Sequence, residues 1–472
     1  MQISRKDIYW NYAATFFKLA SAAIILPFIL RFLPSETVGI WTVFMTISTF
    51  SYLLDFGFNP TFSRNVTYVL SGVRNLKKDG FEILSEQDNN VDYSLLKGLI
   101  RSMKWIYLRL SLILFIALIS FGTYYIFTVL KTYTGNPKEV YISWFILILI
   151  NSYYIYSLYY ESLLIGKGLI KKSKQIIVFG QSTYLITAIV LILNGFGLIA
   201  IVSAQAISVI INRWLLYKAF FTNEVKESLR DRNCPPVKYV LQAIYPNAIK
   251  IGLTSLGSFL VQRSAILIGS FYLSLSEIAS YGITLQLILI ISTLSLIYSS
   301  TYQPKISQQI VYNNYEAVKE IYIKGQICLF FTYFVCGIGL ILLGDEILKL
   351  IGSKTLLLSK PMISVFLIIS LLEANQSLAG TILLSKNEVP FFKASLVAGL
   401  ITVLLLFILF ENLEIKLWSA ILAQGIANLL YNNWKWPHVV YKLLNVNLKD
   451  IKTYMLNIKK EIKWKITHMK LA

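Results

Sequence analysis

Long apolar stretches dominate this sequence and decide what kind of fold it can adopt. A helix that crosses a bilayer needs about 20 mostly apolar residues, and the chain carries twelve such stretches in succession. Each is apolar on all sides, as expected of a helix surrounded by lipid. The sequence thus predicts an all-α polytopic membrane protein with about 12 transmembrane helices. The predicted spans lie near residues 9–30, 37–58, 105–130, 140–162, 176–194, 198–218, 247–270, 278–302, 325–343, 361–384, 393–410 and 417–436.

The composition excludes an ordinary soluble protein. Charged residues make up 14% of the 472 residues, whereas soluble globular proteins carry roughly 25%. The formal net charge of +20 would point to nucleic acid in a more polar chain, but here it indicates orientation in a membrane. The three cysteines and two histidines lack the spacing of a zinc site or a disulfide framework. We therefore expect no metal and no cofactor.

The distribution of Lys and Arg predicts the orientation, because cytoplasmic loops carry an excess of these residues. With twelve spans both termini lie on one side, and most of the 44 Lys and Arg residues fall in segments on that side. Both termini are therefore predicted to be cytoplasmic. The opposite side holds only Arg31, Lys131, Lys138, Lys349, Lys354, Lys360 and Lys416.

The two halves of the chain are similar to each other. Residues 161–208 align without gaps on 380–427, which places Lys167 on Lys386. Chance similarity between apolar helices is the alternative, but matched polar residues at a constant register favour a duplication. Weaker echoes pair residues 33–36 with 275–277 and residues 59–63 with 303–307.

A duplication with six spans per half predicts two six-helix lobes related by a pseudo-two-fold axis along the membrane normal. Parallel repeats of this kind are found in secondary transporters, which bind substrate near the midplane and work by alternating access. The predicted domains are 1–222 for the N-terminal lobe, 223–246 for a cytoplasmic linker, 247–436 for the C-terminal lobe and 437–472 for a basic tail.

Three charged side chains lie near the middle of predicted spans: Lys18, Arg263 and Glu373. A charge there costs about 2.5–3.5 kcal/mol and normally faces a cavity or a partner. Lys18 and Arg263 belong to the first helices of the two lobes, which we expect to face each other across the cleft. Two cations there would bind an anionic group such as a diphosphate. The alternative is that each pairs with Glu373 or a carbonyl group and only fixes packing.

Two carboxylates are candidates for ion coupling. Glu373 is the first, with a plain salt bridge as the alternative interpretation. Asp55 is the second, although interfacial snorkelling is the interpretation we favour for it, as for Glu161, Arg109 and Arg213. Asp55 lies in Leu-Asp-Phe-Gly-Phe-Asn-Pro at residues 54–60, which is predicted to unwind the end of the second span.

Polar side chains inside the spans could line a path for sugars. Tyr153 and Tyr156, from a tyrosine-rich run at 153–160, could stack on sugar rings, and the interfacial aromatic belt is the alternative. Gln205 and Gln424 are matched in the repeat and could bind hydroxyl groups, with interhelical hydrogen bonds as the alternative. The sequence contains no Walker, HExxH or GxSxG pattern, so we predict no catalytic residue.

The sequence of the tail, residues 437–472, predicts a basic amphipathic helix that lies on the anionic inner leaflet. A partner-binding helix is the next alternative, and nucleic acid is the weakest. Lysines fall between its apolar positions, which are Leu444, Leu448, Ile451, Met455, Ile458 and Ile462.

Short stretches near the N-terminus carry a family resemblance. A basic start runs into the first span, Leu-Pro-Ser-Glu-Thr-Val-Gly-Ile-Trp opens the second at residues 33–41, and Asp-Phe-Gly-Phe-Asn-Pro-Thr-Phe-Ser-Arg closes it at residues 55–64. With these, the sequence resembles bacterial polysaccharide-repeat-unit flippases (O-antigen, Wzx type) of the multidrug/oligosaccharidyl-lipid/polysaccharide exporter superfamily.

The resemblance implies a function in the bacterial plasma membrane. Such a flippase moves undecaprenyl-diphosphate-linked oligosaccharide from the cytoplasmic to the periplasmic leaflet for surface polysaccharide, including lipopolysaccharide, synthesis. Its lumen carries cations, which suits Lys18 and Arg263, and other polysaccharide-assembly proteins are candidate partners. The alternatives are a cation-coupled multidrug exporter of the same superfamily, and a membrane glycan polymerase or ligase.

Overall fold

The computed structural model describes residues 5–70, 72–76, 91–230, 232–386, 389–411, 415–447 and 450. Throughout this part of the chain the secondary structure is helical and contains no strand. The predicted tail helix lies outside the described residues from residue 451 onwards, and so do residues 77–90 of the loop after the second span.

The described residues of the N-terminal half form ten α-helices. The fourth continues through a π-helical turn at Leu118–Gly122 into the fifth. The helices are α1 (Arg5–Phe32), α2 (Ser35–Leu53), α3 (Phe58–Leu70), α4 (Tyr93–Ala117), α5 (Thr123–Val129), α6 (Pro137–Tyr156), α7 (Tyr159–Gly166), α8 (Ile170–Leu193), α9 (Gly197–Phe220) and α10 (Asn223–Leu229).

In the C-terminal half, the part of the chain that the structure describes forms eight more. They are α11 (Val237–Gly269), α12 (Leu275–Ser295), α13 (Ile297–Val311), α14 (Tyr315–Ile351), α15 (Lys360–Ser385), α16 (Phe392–Phe410), α17 (Lys416–Leu429) and α18 (Asn432–Leu443).

The prediction of a multi-pass, all-α membrane protein is confirmed. Among the described residues, ten helical segments are long and apolar enough to cross a membrane. The other two predicted spans, 247–270 and 417–436, fall on α11 and on the pair α17 and α18.

The order of helices in the first half recurs in the second. In each half a long first helix is followed by an interrupted second one: α2 and α3 are separated by a turn at 54–57, and α12 and α13 by Leu296. The sequence echoes recur at matching places, because residues 33–36 and 275–277 lie where the second helices begin. This shared order is what a duplication predicts.

The predicted unwinding after the second span is confirmed. Phe56 and Gly57 have φ of 44° and 73°, a left-handed conformation that ends α2. The Asp55 carboxylate accepts hydrogen bonds from the Asn59 backbone N–H at 3.1 Å, which satisfies one of the donors left unpaired at the start of α3. The chain thus starts a new helix within a few residues.

Two compact units make up the chain. The first comprises residues 1–256, 274–279 and 348–355, and the second residues 257–273, 280–347 and 356–472. Within the first unit α8 packs on α9 and α1, and α3 packs on α7. Within the second, α16 packs on α17, and α15 packs on α13 and α18. The domain boundaries predicted from the sequence stay predictions.

The start of the tail is attached to the second unit. The Lys319 ammonium lies 2.7 Å from the carboxylate of Asp450. This hydrogen bond, together with one from the Asn447 backbone N–H, lowers the pKa of Asp450. This contact therefore fixes the start of the tail against α14.

Helices α11 and α16 approach closely at a pair of glycines. A Cβ on Gly257 would lie 2.5 Å from the backbone of Ser395, and one on Gly399 would lie 2.8 Å from the Cβ of Leu260. Small residues at such crossings let transmembrane helix backbones pack directly.

We expect Gly257→Leu to destabilise the second unit, because the new side chain has no space between α11 and α16. Overpacking of this kind costs about 1–3 kcal/mol, so the thermal unfolding midpoint of the purified protein in detergent should fall. Gly339→Ala on α14 is the matched control, since no atom lies within 4 Å of its Cβ position. Equal midpoints for the two variants would contradict the close crossing.

Candidate functional site

A half-buried carboxyl group in the second unit is the centre of a polar cluster. The Glu373 carboxylate, on α15, accepts hydrogen bonds from Gln424 Nε2 at 2.9 Å and from Asn428 Nδ2 at 2.8 Å. Both partners lie on α17 and are buried, with exposed fractions of 2% and 6%. We call these residues, with Asn432 and Trp436, the glutamate cluster.

The spacing along the chain explains how the cluster forms. The other four residues of the cluster recur every fourth residue from 424 to 436, with Gln424 and Asn428 on α17 and Asn432 and Trp436 on α18. Trp436 Nε1 donates to Asn432 Oδ1 at 2.9 Å, and Asn432 Nδ2 donates to Asn428 Oδ1 at 3.3 Å. The Asn428 amide can then present only its N–H₂ group to the carboxylate. The row therefore positions hydrogen-bond donors around Glu373.

The groups that donate hydrogen bonds to the Glu373 carboxylate are neutral side-chain amides. Among the ion pairs of the described residues, none includes Glu373. The nearby Tyr281 interacts electrostatically with both Glu373 and Arg263. Its hydroxyl and the Gln424 Oε1 are buried without a hydrogen-bond partner among the described residues. Unused polar atoms therefore remain beside the carboxyl group.

A second polar network in this unit adjoins an apolar groove. Gln326 Nε2 donates to Asn375 Oδ1, and Tyr441 Oη donates to Gln326 Oε1, both at 2.9 Å. The groove has a volume of about 780 Å³ and runs between α14 and α15, where Phe334 and Leu367 line it. Gln326 and Tyr441, with Tyr333 and Ser364, contribute the polar atoms of a mainly apolar wall.

Arg213, in the first unit, is buried, whereas the sequence predicted a side chain that extends to the membrane interface. Arg213 has a side-chain exposure of 4%, and its Nη1 lies 3.7 Å from the Glu161 carboxylate. Its guanidinium also lies 4.3 Å from the ring centre of Tyr154. The snorkelling interpretation of Arg213 is wrong, because packing encloses the guanidinium and supplies an anion and a ring. Arg109, by contrast, is exposed and stacks 3.4 Å from the Trp105 ring.

Asp55 is held at the end of α2 by contacts within the first unit. The buried Tyr107 hydroxyl donates to Asp55 Oδ1 at 2.6 Å, in addition to the Asn59 backbone N–H. On the preceding turn Tyr52 accepts a hydrogen bond from Gln205 Nε2 at 3.3 Å. These contacts fasten the break between α2 and α3 to neighbouring helices.

The tyrosine-rich run contributes mainly to packing. It spans the break between α6 and α7, where Ser157 Oγ donates to the Tyr153 carbonyl at 2.7 Å. Tyr159 is 1% exposed, and its ring lies 4.5 Å from Tyr160 and 6.4 Å from Tyr107. Tyr153 and Tyr156 are only half-buried.

The structure brings together only some of the residues predicted for the site. Glu373 and Gln424 are in direct contact, whereas Gln205 contacts Tyr52. Lys18 is exposed on α1 and Arg263 is half-buried on α11. Those two belong to different compact units, and the prediction that they face each other stays a prediction.

Sequence reasoning missed partners that depend on packing. Asn428 and Asn432 carried a usable signal, because their four-residue spacing continues from Gln424. Tyr281 carried none, since a tyrosine among apolar residues is common in a membrane helix.

Comparison with solved structures finds membrane transporters of the same fold. An inward-facing multidrug resistance MATE family transporter of the MOP superfamily matches with a TM-score of 0.65 at 12% identity, over 93% of this chain and 96% of that chain. The lipid II flippase MurJ in an inward closed conformation matches with a TM-score of 0.63 at 15% identity, over 95% and 90%. A MOP superfamily transporter from Pyrococcus furiosus with a binding pocket of reverse polarity matches with a TM-score of 0.53 at 14% identity, over 94% and 96%.

These matches establish the fold. No protein-family model and no curated protein sequence matches the chain. The chain shares the all-α fold of these solved structures. A fold of this kind does not specify the substrate.

The buried Arg213–Glu161 pair supports a test in the first unit. We expect Glu161→Gln to lower the free energy of unfolding by about 3 kcal/mol or less, because it leaves the buried guanidinium without its anion. The double variant Glu161→Gln with Arg213→Met should be more stable than Glu161→Gln alone. Thermal unfolding in detergent measures both. Additive losses in the double variant would show that the two side chains do not interact.

Proposed function

We propose that this protein is a flippase that moves oligosaccharides linked to undecaprenyl diphosphate from the cytoplasmic to the periplasmic leaflet of the bacterial plasma membrane. It acts by alternating access and supplies surface polysaccharide synthesis. The fold, which is common to drug exporters and to a lipid II flippase, supports this proposal. So does the resemblance of residues 33–41 and 55–64 to polysaccharide-repeat-unit flippases.

One observation carries the choice of an anionic substrate. Among the described residues, Lys18 and Arg263 make no ion pair. Lys18 lies in a candidate membrane span, and Arg263 lies on α11, where the sequence predicts one. A charge without a partner costs about 2.5–3.5 kcal/mol in a membrane helix, and a diphosphate would offset this cost with several negative charges. Arg263 can bind a phosphate with two parallel hydrogen bonds, whereas Lys18 acts as a point charge.

The carboxylate of the second unit does not neutralise these cations. Glu373 takes its hydrogen bonds from the amides of Gln424 and Asn428, so the salt bridge considered from the sequence has no counterpart among the described ion pairs. A cationic drug would meet repulsion from Lys18 and Arg263. This argues for the flippase over the multidrug exporter.

The sugar part of the substrate would meet half-buried polar side chains. Tyr153 and Tyr156 retain exposed surface where Tyr159 is buried, and their rings could stack on sugar faces. Gln205 keeps an amide oxygen beyond its contact with Tyr52. Gln424 contributes indirectly, because its amide is engaged with Glu373.

The glutamate cluster is the proposed ion-coupling site. A half-buried carboxylate surrounded by neutral donors can take up a proton or a small cation without breaking an ion pair. The unused oxygens of Gln424 and Tyr281 lie in its surroundings and would serve as further ligands. Asp55 accepts hydrogen bonds from Tyr107 and from the Asn59 backbone N–H, and its coupling role stays a prediction.

The multidrug exporter is the second candidate function, because MATE transporters share the fold. A drug-sensitivity panel in a deletion strain separates the two functions. Increased sensitivity to several cationic drugs with unchanged surface glycan would favour the exporter.

The double variant Lys18→Ala with Arg263→Ala should abolish glycan export, because both candidate phosphate ligands are lost. We expect surface glycan in a complemented deletion strain to fall at least about tenfold, measured by gel analysis at matched protein levels. The charge-conserving pair Lys18→Arg with Arg263→Lys should retain part of the activity. Lys138→Ala, which removes an exposed cation on α6, serves as control. Normal glycan in the double alanine variant would refute the diphosphate assignment.

Glu373→Gln should uncouple transport from the ion gradient. The substitution conserves size, and the Gln424 amide can reorient to donate or accept, so we expect the protein to fold. Proteoliposomes with an imposed proton or sodium gradient, loaded with a labelled lipid-linked oligosaccharide, measure the response. Glu320→Gln removes an exposed carboxylate paired with Lys324 and is the control. A full gradient response in Glu373→Gln would exclude coupling at this residue.

A further inference from the structure

Four basic side chains converge on one pocket at the start of α4. Lys97, Arg101, Lys104 and Arg232 line a cavity of about 640 Å³, together with Asn233 and Cys234. We call this cavity the basic pocket. It lies wholly within the first compact unit and includes none of the residues assigned above to the substrate or the coupling ion.

The helix and the linker build the basic pocket together. Lys97, Arg101 and Lys104 are spaced by four and three residues, so they lie on one face of α4. The chain before α11 supplies the opposite wall. Lys97 Nζ donates to the Arg232 carbonyl at 2.8 Å, and Arg101 Nη1 lies 3.6 Å from Cys234 Sγ.

Gly98 on α4 lets the linker pack directly against the helix. A Cβ on Gly98 would lie 2.6 Å from Cγ and 2.7 Å from Cδ of Pro235. Only a residue without a side chain lets the Pro235 ring rest on α4. Close packing of the linker on α4 therefore defines one side of the pocket.

The charges of the basic pocket are not balanced within the protein. None of its four cations takes part in an ion pair among the described residues. Like charges at neighbouring helical positions repel, so the folded chain keeps an arrangement that an anion would stabilise. Guanidinium and ammonium groups together form strong, charge-assisted hydrogen bonds to phosphate oxygens.

The position of the pocket indicates which anions can reach it. Trp105 directly follows Lys104, is 38% exposed, and carries the stacked guanidinium of Arg109. Exposed tryptophans of this kind mark the level of the lipid head groups. The pocket lies on the side predicted to be cytoplasmic, one helical turn before the apolar part of α4.

We propose that the basic pocket binds the phosphate group of an anionic lipid head group at the inner leaflet. Basic pockets between membrane helices on the cytoplasmic side have this function in other proteins. Because the linker between the two halves forms one wall, the bound phosphate bridges α4 and the segment that leads into α11. A soluble phosphate compound offers the same chemistry, and the experiment separates the two sources.

Native mass spectrometry of the full-length protein tests the proposal. Purified protein in detergent is titrated with phosphatidylglycerol and, separately, with inorganic pyrophosphate. For Arg101→Gln with Arg232→Gln we expect the apparent affinity for phosphatidylglycerol to fall about tenfold to thirtyfold, since each cation near the surface contributes about 1 kcal/mol. Lys172→Gln with Lys174→Gln removes the same charge from α8 and should bind as wild type does.

A third variant separates a built pocket from a general positive surface. Gly98→Val leaves all four cations in place but displaces Pro235, so we expect it to lose affinity as well. Size-exclusion chromatography checks that each variant is monodisperse and folded. Selective loss of phosphatidylglycerol binding identifies the lipid as source, and selective loss of pyrophosphate binding identifies a soluble phosphate. Equal losses in the pocket and control variants, or wild-type binding by Gly98→Val, would overturn the proposal.

Discussion

Inside a bilayer no water is available to hydrogen-bond the backbone, so every N–H and C=O group must find its partner within the protein. In the described part of this chain, helices meet that demand almost everywhere. Where a helix ends, a side chain forms a hydrogen bond with a backbone group at the break. The Asp55 carboxylate accepts from the Asn59 backbone N–H at the break between α2 and α3, and the Ser157 hydroxyl donates to the Tyr153 carbonyl at the break between α6 and α7.

The same constraint sorts the charged side chains into two groups. Arg213 and Glu161 neutralise each other within the first unit, and Glu373 is stabilised by a row of amides in the second. Lys18 and Arg263 have no such partner among the described residues. A buried polar group that is satisfied contributes to specificity of the fold, whereas one that is left without a partner leaves binding energy for a ligand.

Drug exporters and a lipid II flippase share this fold, so the fold leaves the substrate undecided. Side-chain chemistry must distinguish them. Lys18, Arg263 and the cations at the start of α4, which make no ion pair among the described residues, are the reason why we propose anionic ligands. The basic pocket differs from the proposed transport site because it is formed by the linker, and a ligand there would act on the connection between the halves.

The sequence by itself determined the local features: the transmembrane stretches, the predicted orientation, the interruption at 54–60 and the repeated order of helices. These depend on hydrophobicity and backbone preference over a few to about 20 residues. Only the tertiary structure decided which polar groups meet. In the structure Arg213 is a buried partner of Glu161, and Gln424 and Asn428 donate hydrogen bonds to Glu373. Such contacts depend on which faces of distant helices pack together, and uniformly apolar helices carry no sequence signal of the face that each will bury.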